Sequence, residues 1–298
     1  MIAHHTFESI IVKHYPDMSN LTQLSGGLVS QTFSFQSKGL KYVFQIGGSY
    51  SDYEKQLYIS NKYGSFIPVT SVISVHKTED GAAYCFSHFI EGQMLHDLDE
   101  RERREIALPT IEMLLKMSDT PIPASAGYGR FDSNGTAPYE TWGDFISAVY
   151  DENTYDWSAL ATKGHDDILV RKAISELREN IRYTELDKPC LVHGDVGSYN
   201  IIALDGKISG LIDCGSALYG DPLYSMAGLL FWNEEKLQDI VALIKQRYYA
   251  EHSTRQRLYC YSLRIGLEEI YNTVVLDEIG YDVSWVSARI DEILMKGL

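Results

Sequence analysis

The sequence is poor in positive charge, in cysteine and in long apolar runs, and each shortage removes a class of function. Lys and Arg number 26 against 41 Asp and Glu, a formal net charge of −15 over 298 residues. A surface of that sign repels phosphate backbones, which excludes nucleic acid as a partner. The same field draws in cations, amino sugars and polyamines among them. The four cysteines, Cys85, Cys190, Cys214 and Cys260, lie far apart without a C-x-x-C pair, which removes a disulfide framework and a cysteine zinc site. Cys85, Cys190 and Cys214 sit within or beside apolar runs and read as buried thiols of a reducing compartment. No window reaches the length of a membrane span. Residues 1–13, with His4, His5 and Glu8 in a helical pattern, lack the basic start and apolar stretch of a signal peptide. The expectation is a cytoplasmic protein with no membrane contact. Hydrophobic residues, at 45%, suffice for a sizeable core and exclude a disordered chain, and the length suits two lobes better than one ordinary domain.

Phe7, Ile10 and Ile11 recur at helical spacing and predict a first helix, ended by Tyr15-Pro16. The period then changes to two. Residues 21–24, 32–36 and 41–46 predict three strands; residues 25–30 join the first pair and Ser37-Lys38-Gly39 forms a hairpin turn in the second. Residues 52–63 predict a helix with Asp52 as its N-cap. Residues 72–75 and 82–90 predict two more strands, joined through Glu79-Asp80-Gly81. Beyond Gly92 the pattern turns helical, with helices predicted at 100–117, 141–150, 166–183, 222–232, 235–251, 254–275 and 284–295. Two short β segments, 200–204 and 207–212, flank Asp205-Gly206. The expected fold class is α+β: a five-stranded antiparallel sheet with one inserted helix over residues 1–90, and a mainly helical lobe over 91–298, joined near residues 87–91.

The stretch that carries chemistry is Leu191-Val192-His193-Gly194-Asp195-Val196-Gly197-Ser198-Tyr199-Asn200, followed by Leu211-Ile212-Asp213-Cys214-Gly215. Phosphoryl transfer to a hydroxyl needs a carboxylate to accept or orient the hydroxyl proton, and oxygen ligands to hold magnesium against the nucleotide phosphates, all within about an ångström of the productive geometry. Asp195 suits the first role. Asn200 and Asp213 offer the hard oxygens magnesium prefers, and the β-hairpin between them returns Asp213 to the side of Asn200. Either aspartate alone is an ordinary turn residue; the ordered set H-G-D-x-x-x-x-N with an apolar-flanked D-x-G is specific.

That set closely resembles the aminoglycoside phosphotransferase family, which shares the protein-kinase fold, and within it the hygromycin B phosphotransferases. Further matching stretches are Gln23-Leu24-Ser25, Phe33-Ser34-Phe35, Thr141-Trp142, Asp144-Phe145-Ile146, Gly197-Ser198, Phe231-Trp232 and Leu263-Arg264-Ile265-Gly266-Leu267. The resemblance implies a two-lobed, kinase-like small-molecule kinase that uses ATP or GTP with magnesium. Asp195 would be the catalytic base, Asn200 and Asp213 the metal ligands, and a cationic amino sugar or aminocyclitol antibiotic the substrate. It also implies that Ser25, Gly26, Gly27 and Ser30 lie over the phosphates, the glycines allowing close backbone approach. Ser87 and Phe89, at the junction of the lobes, are assigned to the nucleotide, and Ser198 to the acceptor beside Asp195. The protein is expected to act as a monomer.

The chain departs from the family pattern on the third strand, where Gln45 stands in the place of a Lys or Arg and supplies no charge to the phosphates. Lys55 on the next helix, or Lys41, is the expected replacement. Gly220-Asp221-Pro222 reads as a helix start. On the helix from Thr254, Leu263, Leu267, Ile270 and Val274 have core spacing. Glu268 and Asn272 fall on another face, one turn apart, and are the expected acceptor contacts; Glu269, Asp277, Glu278, Asp151, Glu152 and Asp156 are further acidic candidates. Trp142 and Trp232 suit either stacking on a sugar or a place in the core. Competing readings are a metabolic kinase on the same fold acting on choline, a fructosamine, homoserine or a sugar, and a nucleotide-binding regulator without catalysis. Metal-dependent hydrolysis through His193 and Asp195 lacks the ligands it needs.

Overall fold

The computed structural model describes residues 4–24, 30–123 and 125–298. They form two compact units that interleave along the chain. The first holds the chain up to Asp97 together with Asp132–Gly135 and Tyr199–Ser216; the second holds Leu98–Phe131, Thr136–Ser198 and Ala217–Leu298. The expected division at 1–90 and 91–298 is a single cut, whereas residues 91–97 and 199–216 belong with the first unit.

The first unit is built on a five-stranded antiparallel sheet, β1 (Ser19–Gln23), β2 (Ser30–Ser37), β3 (Leu40–Gly47), β4 (Val72–Lys77) and β5 (Ala83–His88), in the order β1-β2-β3-β5-β4. Period-two alternation sets Phe33, Phe35, Phe44, Ile46, Tyr84 and Phe86 in one buried cluster with Phe7 and Ile11 of helix α1 (His4–His14). A separate cluster joins Val72, Ala83 and Cys85 to Tyr53 of helix α2 (Tyr50–Tyr63). The expected N-cap of α2, Asp52, lies inside the helix; Ser49, with extended backbone, is the cap. Asp52 still occupies the first turn, where the helix dipole favours a carboxylate.

Two tight hairpins follow from two-residue turns. Lys38 and Gly39 both have left-handed φ, 50° and 77°, between the paired Ser37 and Leu40. Asp205 and Gly206 do the same at 50° and 71° between the paired Leu204 and Lys207. Positive φ at both central positions is the I′ turn that suits the twist of a hairpin. The second hairpin joins β9 (Ile201–Leu204) to β10 (Lys207–Leu211), and β6 (Gln93–Met94) pairs on the other edge of β9.

The second unit holds a small sheet of β7 (Gly129–Arg130), β8 (Cys190–Val192) and β11 (Leu218–Gly220), in the order β7-β11-β8. Its helices are α3 (Glu100–Met117), α4 (Trp142–Ser147), α5 (Ala159–Thr162), α6 (Ile168–Asn180), α7 (Leu223–Trp232), α8 (Gln238–Tyr248), α9 (His252–Ile270) and α10 (Val283–Lys296). Capping boxes fix the starts of α3, through Asp99 and Glu102, and of α4, through Thr141 and Asp144. Helix α9 packs against α6, α7 and α10 and buries Leu258, Leu263, Leu267 and Ile270. The helix expected over 254–275 ends as an α-helix at Ile270 and continues as a π-helical turn, Tyr271–Val275. Asp221 is fully buried, pairs with Arg257 and accepts from Tyr261 Oη at 2.6 Å and from the Leu223 amide at 2.9 Å. Trp142 is fully buried and donates its indole N–H to Tyr261 Oη at 2.9 Å, which settles its choice between sugar and core. Among the described residues, no helix is long and apolar enough to cross a membrane.

Candidate active site

In the second unit the buried strand β8 delivers His193, also fully buried, and then turns sharply at Gly194, whose φ is +83°. The Asp195 amide donates to His193 Nδ1 at 3.4 Å. Asp195 itself is exposed, while Val196 and Ser198 on either side of Gly197 are buried anchors. The Ser198 amide donates to Glu234 Oε2 at 3.2 Å, and a Cβ on Gly197 would come within 3.0 Å of Glu234 Oε1. The loop is therefore held by its backbone at both ends, with the Asp195 carboxyl presented at its tip.

Aromatic and acidic groups gather around it. Trp232 stacks on Tyr281 at 4.1 Å between ring centroids and on Trp285 at 5.8 Å. Tyr281 and Trp285 are 55% and 43% exposed, so this stack forms a surface wall rather than core. Burial, with the negative charges of Asp195, Glu234 and Glu269, pushes the Tyr281 hydroxyl up to about 12, which places all three carboxylates in its neighbourhood. Glu269 Oε1 accepts from the Tyr281 amide at 3.0 Å and from Thr273 Oγ1 at 3.2 Å. Gly280 makes this approach possible, since a Cβ there would lie 2.0 Å from Thr273 Oγ1.

Glu268, the expected acceptor contact, is held in a cluster with two arginines. Its carboxylate lies 3.0 Å from Arg130 and 3.1 Å from Arg264 and accepts from Tyr155 Oη at 3.3 Å, with 14% of the side chain exposed. Burial acts to raise its pKa, but the two guanidinium groups prevail and hold it at about 2. Arg264 is buried too, donates to the Phe145 carbonyl at 3.1 Å and covers the Phe145 ring at 4.0 Å. Asn272 sits half-buried in the π-helical turn, its carbonyl accepting from the Glu278 amide at 3.0 Å. Of the further acidic candidates, Glu269 is the one beside Tyr281; Asp277 pairs with Lys163. Sequence reasoning missed Glu234, Tyr281 and Trp285. Glu234 follows the matching Phe231-Trp232 by two positions, a usable signal, whereas Tyr281 lies in a stretch without periodicity.

The first unit assembles the other residues. The Asn200 carbonyl accepts the Ile212 amide at 3.0 Å, so the β9–β10 hairpin sets Asn200 beside the residue that precedes Asp213. Asp213 has φ +58° and leads into a short turn, Cys214–Ser216, that packs on α2. A Cβ on Gly215 would touch Asp52 Cβ at 3.4 Å and Asp213 Oδ1 at 3.8 Å, which marks how near these two acids lie. Lys55 is only 5% exposed. Burial pushes the Cys214 thiol up to about 12, reinforced by the Asp213 charge and opposed by that of Lys55, so the ammonium lies within reach of this turn. Burial also raises the Tyr53 hydroxyl, with Cys85, Asp213 and Asp52 adding to the effect. Three residues of α2 thus gather around the Asp213–Gly215 turn.

Gln45 is engaged sideways, its Oε1 accepting from Cys85 Sγ at 3.7 Å across the β3–β5 ladder. The Lys41 ammonium lies 3.4 Å from the centre of the Phe89 ring, and the Phe89 amide donates to the Lys41 carbonyl at 3.1 Å. Ser87 is buried, and Ser30 opens β2 opposite Gly47; Ser25, Gly26 and Gly27 lie outside the described residues. Among the described residues there is no group of three or more His, Cys, Asp or Glu placed to cage a metal. Two hard-oxygen donors, Asn200 and Asp213, fit magnesium, which takes one or two protein ligands and completes its shell with phosphates and water.

The second unit thus presents a carboxylate at a loop tip, and the first holds Asn200, Asp213 and a buried lysine near one turn. The model of the phosphotransferase enzyme family, APH, matches residues 20–259. The chain belongs to that family. It is a phosphotransferase with the kinase-like α+β fold that its motif predicts. Hygromycin-B 4-O-kinase of Escherichia coli is 30% identical over 300 residues, covering 97% of this chain and 85% of that one. The crystal structure of a thermostable mutant of aminoglycoside phosphotransferase APH(4)-Ia, in ternary complex with AMP-PNP and hygromycin B, aligns with a TM-score of 0.87 at 29% identity, over 98% of this chain and 99% of that one. The GDP complex of wild-type aminoglycoside 2'-phosphotransferase-IIIa shares the fold at 15% identity, with a TM-score of 0.67 over 99% of both chains.

Proposed function

We propose that this phosphotransferase moves the γ-phosphoryl group of ATP to a hydroxyl of hygromycin B or a close aminocyclitol relative, and so confers resistance to it. The observation that carries the reading is the wall of Trp232, Tyr281 and Trp285 with Glu234 and Glu269, grouped with Asp195. Flat aromatic faces suit sugar rings, and carboxylates suit the ammonium groups of an amino sugar. The likeness over nearly the whole chain to a hygromycin-B kinase supports the same acceptor.

In this reading the acceptor hydroxyl gives its proton to the Asp195 carboxylate as its oxygen forms a bond to the γ-phosphorus. The bond from that phosphorus to the bridging oxygen breaks, and ADP leaves with the electron pair. Asn200 and Asp213 would hold magnesium, which when bound would offset charge on the phosphates. Lys55 supplies the positive charge that Gln45 lacks. Lys55→Met is expected to weaken binding of the magnesium–nucleotide complex about tenfold or more, the value of a charge-assisted hydrogen bond, while Lys41→Met leaves it unchanged. Calorimetric titration with Mg·AMP-PNP measures both.

The direct test is coupled ADP release over a panel of hygromycin B, kanamycin, choline and homoserine with either ATP or GTP, beside growth of a susceptible bacterium on hygromycin B. Turnover with hygromycin B and growth on the drug are expected. Turnover confined to choline or homoserine would replace the antibiotic with a metabolic acceptor.

A further inference from the structure

The residue between Ser198 and Asn200 is Tyr199, and it is held in an unusual way for an exposed side chain. Half of it faces solvent, 50% exposed. Its hydroxyl nevertheless lies 2.8 Å from His96 Nε2, and the two rings stack with centroids 3.9 Å apart at 21°. An exposed aromatic side chain gives up rotamer freedom to stay in one place; a stack and a hydrogen bond together offset that loss.

His96 is well anchored. It sits in a short 3-10 turn, Leu95–Asp97, whose Leu95 is fully buried. That turn continues directly from β6, which pairs with β9 as Gln93 against Ala203 and Met94 against Ile202. Beyond Met94 and Ile202 the two chains leave the ladder, and the His96–Tyr199 stack joins them again. Strand β6 is pressed close on β9 just upstream, since a Cβ on Gly92 would fall 2.4 Å from the Ala203 carbonyl oxygen. The His96–Tyr199 pair therefore closes the end of the β6–β9 ladder at the point where Asn200 leaves it. From the other side the Asn200 carbonyl is tied to the Ile212 amide. Asn200 is thus tied through its own carbonyl to Ile212, just past β10, while its neighbour Tyr199 is tied to His96.

We propose that His96 and Tyr199 are a positioning pair for the magnesium ligand Asn200. They act on the metal–nucleotide half of the reaction and not on the acceptor. This role rests on the kinase reading above, in which Asn200 holds magnesium. Partners that orient a metal ligand change metal affinity by about tenfold or more when removed, and the pair predicts an effect of that kind here.

The test uses the full chain and four variants: Tyr199→Ala, Tyr199→Phe, His96→Ala and His96→Gln. Calorimetry with Mg·AMP-PNP, and with AMP-PNP in EDTA, reads the metal-dependent part of binding; steady-state kinetics read the acceptor KM. Tyr199→Ala and His96→Ala are expected to weaken Mg·AMP-PNP binding about tenfold, with metal-free binding and acceptor KM unchanged. Tyr199→Phe keeps the stack and His96→Gln keeps a hydrogen-bonding partner, so each is expected to recover part of the loss. These two mild changes on a folded chain keep the series readable if an alanine variant melts early. Unchanged Mg·AMP-PNP affinity in all four variants, with normal binding by wild type, would overturn the positioning role and leave the kinase reading standing. So would a rise in acceptor KM alone, which would make Tyr199 an acceptor contact. Wild-type protein that binds no nucleotide would remove both.

Discussion

Asp195→Asn is expected to lower turnover by about 10²–10⁴-fold, the usual contribution of a positioned general base, and to leave nucleotide affinity within about twofold of wild type. The two effects separate because the groups lie in different units. Asp195 stands at the tip of a loop whose backbone is secured by His193, Val196, Ser198 and Glu234, so replacing its carboxylate by an isosteric amide does not release the loop. Lys55, Asn200 and Asp213, proposed to hold the nucleotide and its metal, belong to the first unit and keep their own supports. A loss of tenfold or more in KM for ATP, with kcat preserved, would show that Asp195 binds nucleotide instead of accepting the proton. Asp213→Ala is the converse control: it removes a proposed oxygen ligand and is expected to weaken Mg·AMP-PNP binding.

The largest effect on stability is expected at Glu268. Its single carboxylate faces two guanidinium groups, Arg264 fully buried and Arg130 with 40% of its side chain exposed. Glu268→Gln leaves both cations facing a neutral amide. Breaking one side of a buried ion pair costs about 3–5 kcal/mol because the remaining charge is stranded. A thermal or urea melt measures the loss, and a change below about 1 kcal/mol would mean that solvent already screens the cluster. The pH dependence has a definite sign. The carboxyl titrates at about 2 in the folded chain against an ordinary value of 4.5. Its stabilisation is therefore complete above about pH 4.5 and is lost as pH falls from there towards 2. Wild type is expected to lose more stability across that window than Glu268→Gln, whose side chain has no proton to take up. Glu269→Gln, one residue on, is expected to do the opposite: little change in the melt and a weaker acceptor KM, since that carboxylate supports Tyr281.

Those adjacent glutamates show where sequence stops being legible. Helical periodicity separates the face of Leu263, Leu267 and Ile270 from the rest of α9, but it does not say what comes to meet Glu268. The partner that captures it, Arg130, is 138 residues away on β7, and Arg264, one turn earlier on α9 itself, carries no outward sign of being buried. Local chemistry was readable: both I′ hairpins announce themselves as Lys-Gly and Asp-Gly, the capped start of α3 falls at its predicted residue, and the H-G-D-x-x-x-x-N spacing led to the family that the comparisons found. Gln45 was legible as an absence of charge, while the burial of Lys55 depends on how α2 meets the Cys214–Ser216 turn, a contact made between distant stretches of chain. The wall of Trp232, Tyr281 and Trp285 joins the end of α7 to the start of α10, stretches distant in sequence, so its grouping appears only in three dimensions.

The alternation of the two units along the chain limits how the gene can be cut. A fragment ending at Asp97 would encode the whole five-stranded sheet yet neither of the oxygen ligands proposed for magnesium, because the hairpin flanked by Asn200 and Asp213 is spelled out about a hundred codons later. Neither unit is a contiguous cassette that recombination can exchange by one crossover. A functional hybrid with a relative would have to carry residues 199–216 from the same parent as the sheet, or accept a foreign hairpin against its own α2.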